Sequence, residues 1–140
     1  MNTVPKTFDI TQFNDIEVGT YVINDPITGQ PTDASFDLAG PISPKRQAIL
    51  LARTRRLRGI VGKTGKLPET DPQEDYAEET DFLAACTSGW ANLIKGDAPL
   101  EFSTAAAAAL YADPLRQWLR HQISAALETP GLFISDAKAA

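Results

Sequence analysis

Few residues in this chain are of a type that does chemistry, and their spacing fails most of the chemistry they could do. Gly62-Lys63-Thr64 has the ending of a phosphate-binding loop, but that motif needs a glycine five residues before Gly62, where Leu57 stands. The acidic run Glu69, Asp71, Glu74, Asp75, Glu78, Glu79 and Asp81 lacks the alternating carboxylates and glycine of a calcium loop, and reads as a solvated helix start. His121 is the sole histidine, so a histidine-based metal cluster is excluded, and nothing in the sequence places it in a Ser-His-Asp set. Cys86 is the sole cysteine. It lies in Phe82-Leu83-Ala84-Ala85-Cys86, cannot form an internal disulfide, and reads as a small core hydrophobe. The expectation is a non-enzymatic protein with no metal and no cofactor.

What remains is the chemistry of contact. Residues 45 to 66 hold eight bases and no acid, with Arg53, Arg55, Arg56 and Arg58 within six positions, whereas residues 67 to 81 hold seven acids and no base. Opposed blocks joined by a short loop point to pairing within the chain, or between neighbours in a homo-oligomer; nucleic acid would account for the basic block alone. The formal net charge of −5 also disfavours nucleic acid as the main partner. Arginine and aromatic side chains dominate binding hot spots, so Arg53, Arg55, Arg56 and Arg58, with Trp90, Leu110 and Tyr111, are the candidate partner-binding residues.

These residues must be positioned by elements that a chain of 140 residues, 43% hydrophobic and 22% charged, can build around one modest core. The pattern predicts an α+β fold: a β-hairpin or small meander, followed by a mainly helical part. Residues 1–42 read as a β-hairpin arm and 43–140 as a helical domain with a flexible loop near 59–71. Phe8 and Ile10, then Ile16, Val18, Tyr21 and Ile23, alternate with polar residues if Gly19 forms a bulge, and Ala34 to Ala39 returns after the Pro- and Gly-rich turn of 25–32. Ser43-Pro44 starts a helix to about Arg58, with Leu50, Leu57 and Val61 near one face. Asp71-Pro72 starts a second, with Tyr76, Leu83, Cys86 and Trp90 as its apolar face; residues 92–101 read as a turn, and Ser103 caps a short third helix. Asp113-Pro114 opens a last helix, about 114–127, whose stripe of Leu115, Trp118, Leu119, Ile123 and Leu127 predicts Trp118 in the core, and Asp136 to Ala140 are expected to fray. The longest apolar stretches, Ala48 to Ala52 and Ala105 to Tyr111, are far short of the roughly 20 residues of a membrane span. The N-terminal residues lack a secretory pattern, so the chain is expected to stay where it is made.

The order of several features resembles a known family. Ser88-Gly89-Trp90, the turn Gly96-Asp97-Ala98-Pro99-Leu100-Glu101-Phe102-Ser103, the helix ending Ala109-Leu110-Tyr111, and the Leu115-to-Leu127 helix followed by Phe133 resemble the tail assembly chaperones of long-tailed bacteriophages. Phe36-Asp37-Leu38-Ala39-Gly40-Pro41 before an Arg-rich helix also looks like the start of those proteins. The resemblance spans mainly residues 36–133 and rests on pattern, with no invariant motif. It implies a protein of the host cytoplasm that keeps the tape-measure protein soluble and recruits tail-tube subunits, with no catalysis and no residue-level site. The alternative is a small structural virion protein of the tail or head-tail region that stays in the particle and uses the hairpin to augment a neighbour's sheet.

Overall fold

The computed structural model describes residues 4–137. The alternation of Phe36 and Leu38 with Ser35 and Asp37 makes a strand with one buried face, and this strand, β3 (Pro31–Ala39), is the centre of the main sheet. It pairs antiparallel with β2 (Val18–Asn24) on one side and β4 (Thr87–Ala91) on the other. The β2–β3 turn is held by Asp25, whose Oδ1 accepts from the N–H of Ile27 (2.8 Å) and Thr28 (3.0 Å), with Gly29 in the left-handed region. A short ribbon joins the two ends of the chain, β1 (Phe13–Asp15) against β7 (Ile134–Asp136), and a two-residue hairpin, β5 (Ile94–Lys95) and β6 (Ala98–Pro99), follows β4.

The helices are α1 (Pro44–Thr64), α2 (Pro72–Cys86), α3 (Thr104–Ala112) and α4 (Gln117–Leu127). Their starts follow the capping residues: Asp71 Oδ1 accepts from Gln73 N–H (2.9 Å) and Ser103 Oγ from Ala106 N–H (2.9 Å), whereas Ser43 makes no side-chain cap and Pro44 alone sets the start of α1. The mixed α+β architecture expected from the pattern is the one observed.

Several local expectations are corrected. The first helix does not end near Arg58. It runs through Gly59 and Gly62 to Thr64, and only Gly65 turns left-handed, its N–H closing on Val61 O at 2.7 Å. A glycine inside a helix costs about 1 kcal/mol, too little to end one whose Leu57 and Ile60 still line the crevice against α2. Trp90 belongs to β4, paired with Phe36, and not to α2. Residues 8–10 form no strand; β1 lies further on, and residues 92–101 contain the β5–β6 hairpin. Asp136 is held in β7 and Ala137 N–H bonds Gln12 O (2.7 Å), while the rest of the stretch expected to fray lies outside the described residues.

Gly19 is not a bulge either: it stands in register opposite Leu38. A Cβ there would lie 2.5 Å from Leu132 O and 2.8 Å from the Phe133 ring, and one at Gly40 would lie 2.7 Å from Ile16 O and 2.9 Å from the same ring. The two glycines form the seat of Phe133. Gly19→Ala is therefore expected to destabilise by at least about 1–3 kcal/mol, the cost of overpacking, read as a lower unfolding midpoint in denaturant.

Sheet and helices share one core. Phe36, Leu38 and Ile23 from the hairpin meet Leu83 and Cys86 of α2, Tyr111 of α3, Ile123 and Leu127 of α4, and Phe133. The hairpin is thus built into the core and does not project as an arm. A single 3-10 turn, Pro114–Arg116, precedes α4, whose inward face carries Leu119 and Ile123 with Arg120. Leu115 is left 74% exposed and Trp118 39% exposed, against the expectation that the whole stripe is core. Trp118→Ala should accordingly cost well under the roughly 3–5 kcal/mol of a core aromatic truncation, as thermal unfolding would show.

Candidate protein-interaction site

The four candidate arginines all lie on α1, and the structure divides them. Arg53 Nε and Arg56 Nη2 both bond Glu78 Oε1 of α2, at 3.0 and 2.6 Å, and the Arg53 guanidinium lies 5.4 Å from the Phe82 ring centre. One part of the expected pairing between the opposed blocks is therefore present inside the chain. The hydrogen bond from Arg56, helped by the charges of both arginines, holds the Glu78 carboxyl below the usual carboxylate range. A carboxylate whose pKa is depressed by folding stabilises the fold above its unfolded pKa, and this contribution fades as the pH falls through the folded value. The groups are partly solvated, so a double-mutant cycle over Arg56 and Glu78 is expected to give a coupling below about 1 kcal/mol at neutral pH, vanishing in acid. Arg55 and Arg58 are exposed and make no ion pair among the described residues.

The aromatic candidates also separate. Tyr111 is fully buried, with its hydroxyl 2.7 Å from Thr87 Oγ1, and burial pushes its pKa upward. It cannot present itself to a partner, which corrects its assignment as a contact residue: the last turn of α3 faces the core, where Tyr111 meets Phe36 at 6.4 Å between ring centres. Trp90 is half-buried, its Nε1–H donating to Leu100 O (2.8 Å) and its ring packed on Phe36 (5.4 Å) and edge-on to Phe102 (5.0 Å). That bond ties β4 to the segment after β6 and so holds the β5–β6 hairpin over α3. Leu110 is half-buried and lines a groove.

That groove is a largely apolar concavity of about 330 Å³ between the β5–β6 hairpin and the α3–α4 corner. Leu93, Leu100, Leu110, Leu119 and Trp118 line it, with Ile94, 65% exposed, where β5 begins. Lys95 and Arg116 stand at its edge beside Asp113. Trp118 is the site residue that the periodicity hides: a tryptophan in an apolar stripe reads as core, but Leu119 and Ile123 take the inward face of α4, and Trp118, about 100° round the helix from Leu119, lies at the margin.

Two cationic side chains missed by the sequence reading are structural. Arg46 donates to Ala39 O and Leu127 O, both at 3.0 Å, beside the Phe133 ring. Arg120 donates to Thr80 Oγ1 (2.5 Å), Tyr111 O (3.2 Å) and Tyr76 O (3.1 Å), with its guanidinium 3.9 Å from the Tyr76 ring centre. Leu127 and Tyr111 lie in the last turns of α4 and α3, so each arginine satisfies an open helix carbonyl and the negative end of a helix dipole.

The groups with catalytic potential are placed as follows. Cys86 is fully buried and its thiol is pushed up to about 11 by burial. His121 is exposed on α4. Lys63 and Thr64 fall in the last turn of α1, where backbone N–H groups serve the helix and form no phosphate cradle. Among the described residues no group of three His, Cys, Asp or Glu is placed to hold a metal ion, and no helix is long and apolar enough to cross a membrane.

Fold and surface together define a mixed α+β protein with an open apolar groove on one corner and a charged helical pair on another. No family model, no curated protein and no solved structure matches the chain.

Proposed function

We propose that this chain is a tail assembly chaperone of a long-tailed bacteriophage, which acts in the host cytoplasm without catalysis, binding the tape-measure protein and recruiting tail-tube subunits. The observation that carries the reading is the groove between the β5–β6 hairpin and the α3–α4 corner, where Leu110 and Trp118 leave apolar surface open. A long helical client offers apolar anchors at three- and four-residue spacing, and such anchors fit a groove of this kind. The pattern resemblance over residues 36–133 supports the same reading. The alternative of a retained virion protein drew on a projecting hairpin, and the hairpin here is built into the core.

The test is co-expression with the long helical gene product of the same phage, measuring how much of that product stays soluble. The parent chain is expected to raise the soluble fraction, and Trp118→Glu, at a side chain outside the core, to abolish the gain while the chain itself stays folded. Equal client solubility with and without the chain, together with its presence at fixed stoichiometry in purified particles, would overturn the reading in favour of the structural alternative.

A further inference from the structure

Past Arg46, in its first turn, no residue of α1 is buried, so α2 covers the rest of this 21-residue helix only in part. Between the two helices runs an open crevice of about 750 Å³, lined also by Pro68, Glu69 and Thr70 of the connecting loop. Leu57 and Ile60 of α1 and Pro68 stay half-buried in it, and Ala77 of α2 is exposed. Most helical stability in proteins comes from packing an apolar face, so this apolar surface is short of a cover. Two neighbouring helices joined by a short connection leave a groove of this kind, and in helical bundles a third helix fills it.

Charge narrows what that helix must be. Six carboxylates line the crevice against two guanidiniums, and both guanidiniums, those of Arg53 and Arg56, are taken up by one of the six, Glu78. Glu69, Glu74, Asp75, Glu79 and Asp81 make no ion pair among the described residues. Carboxylates gathered along a cleft with apolar walls concentrate a negative potential in it, which repels nucleic acid and acidic segments. A metal ion does not match either, because among the described residues no three such side chains converge to hold one. The unpaired charge is spread along α2 from Glu74 to Asp81, about 10 Å of helix, the reach of a chain with several cations. We infer that this crevice is the docking site of a cationic amphipathic helix of a partner protein, whose apolar side chains cover Leu57, Ile60 and Ala77 and whose lysine and arginine side chains pair with the free carboxylates. The inference stands apart from the client groove, which lies between other elements and has Lys95 and Arg116 at its edge.

The probe is a synthetic peptide of about 18 residues, long enough to be helical, with leucines at three- and four-residue spacing and lysines elsewhere; a second peptide has glutamate at every lysine. Binding to the full chain is read by fluorescence anisotropy of the labelled peptide at physiological salt. The lysine peptide is expected to bind, more weakly as salt rises, and the glutamate peptide not to bind. Glu69→Lys with Asp81→Lys reverses two crevice charges at exposed positions whose side chains make no hydrogen bond among the described residues. This pair should weaken binding at least about tenfold, with an unchanged far-ultraviolet circular dichroism spectrum. Asp33→Lys with Glu101→Lys, an equal change of charge at exposed positions outside the crevice, should weaken it less than about twofold, and Trp118→Glu, in the client groove, should not weaken it. Equal losses from the two double variants would mean that net charge alone draws the peptide, and a loss in Trp118→Glu that it sits in the client groove. Either result, binding of the glutamate peptide, or no binding of the lysine peptide would overturn the inference. So would a parent chain that sediments above 15.1 kDa and returns to that mass in Glu69→Lys with Asp81→Lys, since a second copy would then fill the crevice.

Discussion

Phe133→Ala is expected to lower the stability of the fold by about 3–5 kcal/mol, as for other large aromatic truncations in cores. The ring is 1% exposed and packs against the backbone of Gly19 and Gly40, which have no side chains to move into the space it would leave, while the Arg46 guanidinium, 5.8 Å from the ring centre, is held by Ala39 O and Leu127 O. Phe133 is also the hub of the chain ends. Its carbonyl accepts from Ile16 N–H (2.9 Å), and β7 begins at the next residue, so its loss loosens the β1–β7 ribbon as well as the seat under β2. In a chain of this size the thermal midpoint should fall by roughly 10–20 °C. A fall below about 1 kcal/mol in chemical denaturation would mean that the two-glycine seat collapses freely onto the vacancy, and would refute the packing described here.

Arg120→Met is the second large effect, expected at about 2–4 kcal/mol. Methionine keeps the length and apolar stem of the side chain but removes the guanidinium, leaving Tyr76 O and Tyr111 O without the charged donor that now serves them. Both carbonyls keep another donor, Thr80 Oγ1 on Tyr76 O (2.8 Å) and the Tyr76 hydroxyl on Tyr111 O (3.3 Å), so the cost is the loss of hydrogen bonds from a charged group, about 1.5–3 kcal/mol each, and relief of the arginine's own desolvation offsets part of the sum. Arg120→Lys should recover a minority of the loss, because one ammonium cannot reproduce a planar fork that reaches Thr80, Tyr76 and Tyr111 together. The measurement is the urea midpoint at constant slope. If the lysine variant equals the parent, charge alone matters at this site and the fork geometry does not.

Both residues illustrate what could and could not be read in advance. The capping chemistry of Asp71-Pro72, Ser103 and Asp113-Pro114 is local: a side-chain oxygen meets an N–H two or three residues on, so the residue types alone place those starts. The β2–β3 hairpin was legible for the same reason, from period-two alternation around a turn rich in proline and glycine. The opposed charge blocks were legible as composition, but that Glu78 takes both Arg53 and Arg56, leaving Arg55 and Arg58 free of ion pairs among the described residues, depends on how α1 crosses α2.

What the sequence by itself determined was therefore the class of fold, most helix starts, the hairpin, and the supply of arginines and aromatics from which an interaction surface could be drawn. The tertiary structure decided which of them reach a partner. Gly19 and Gly40 are glycines because a ring from residue 133 lies against them, a contact across more than ninety positions that no local pattern encodes. Arg120 is buried where Tyr111 O, Tyr76 O and Thr80 Oγ1 of two other helices converge on its guanidinium, and Trp118 stays partly exposed because the face of α4 that meets the core is the one carrying Leu119 and Ile123. Periodicity reports that a helix has an apolar side; which residues at the edge of that side are covered is set by where neighbouring elements end, and that is a property of packing, not of spacing.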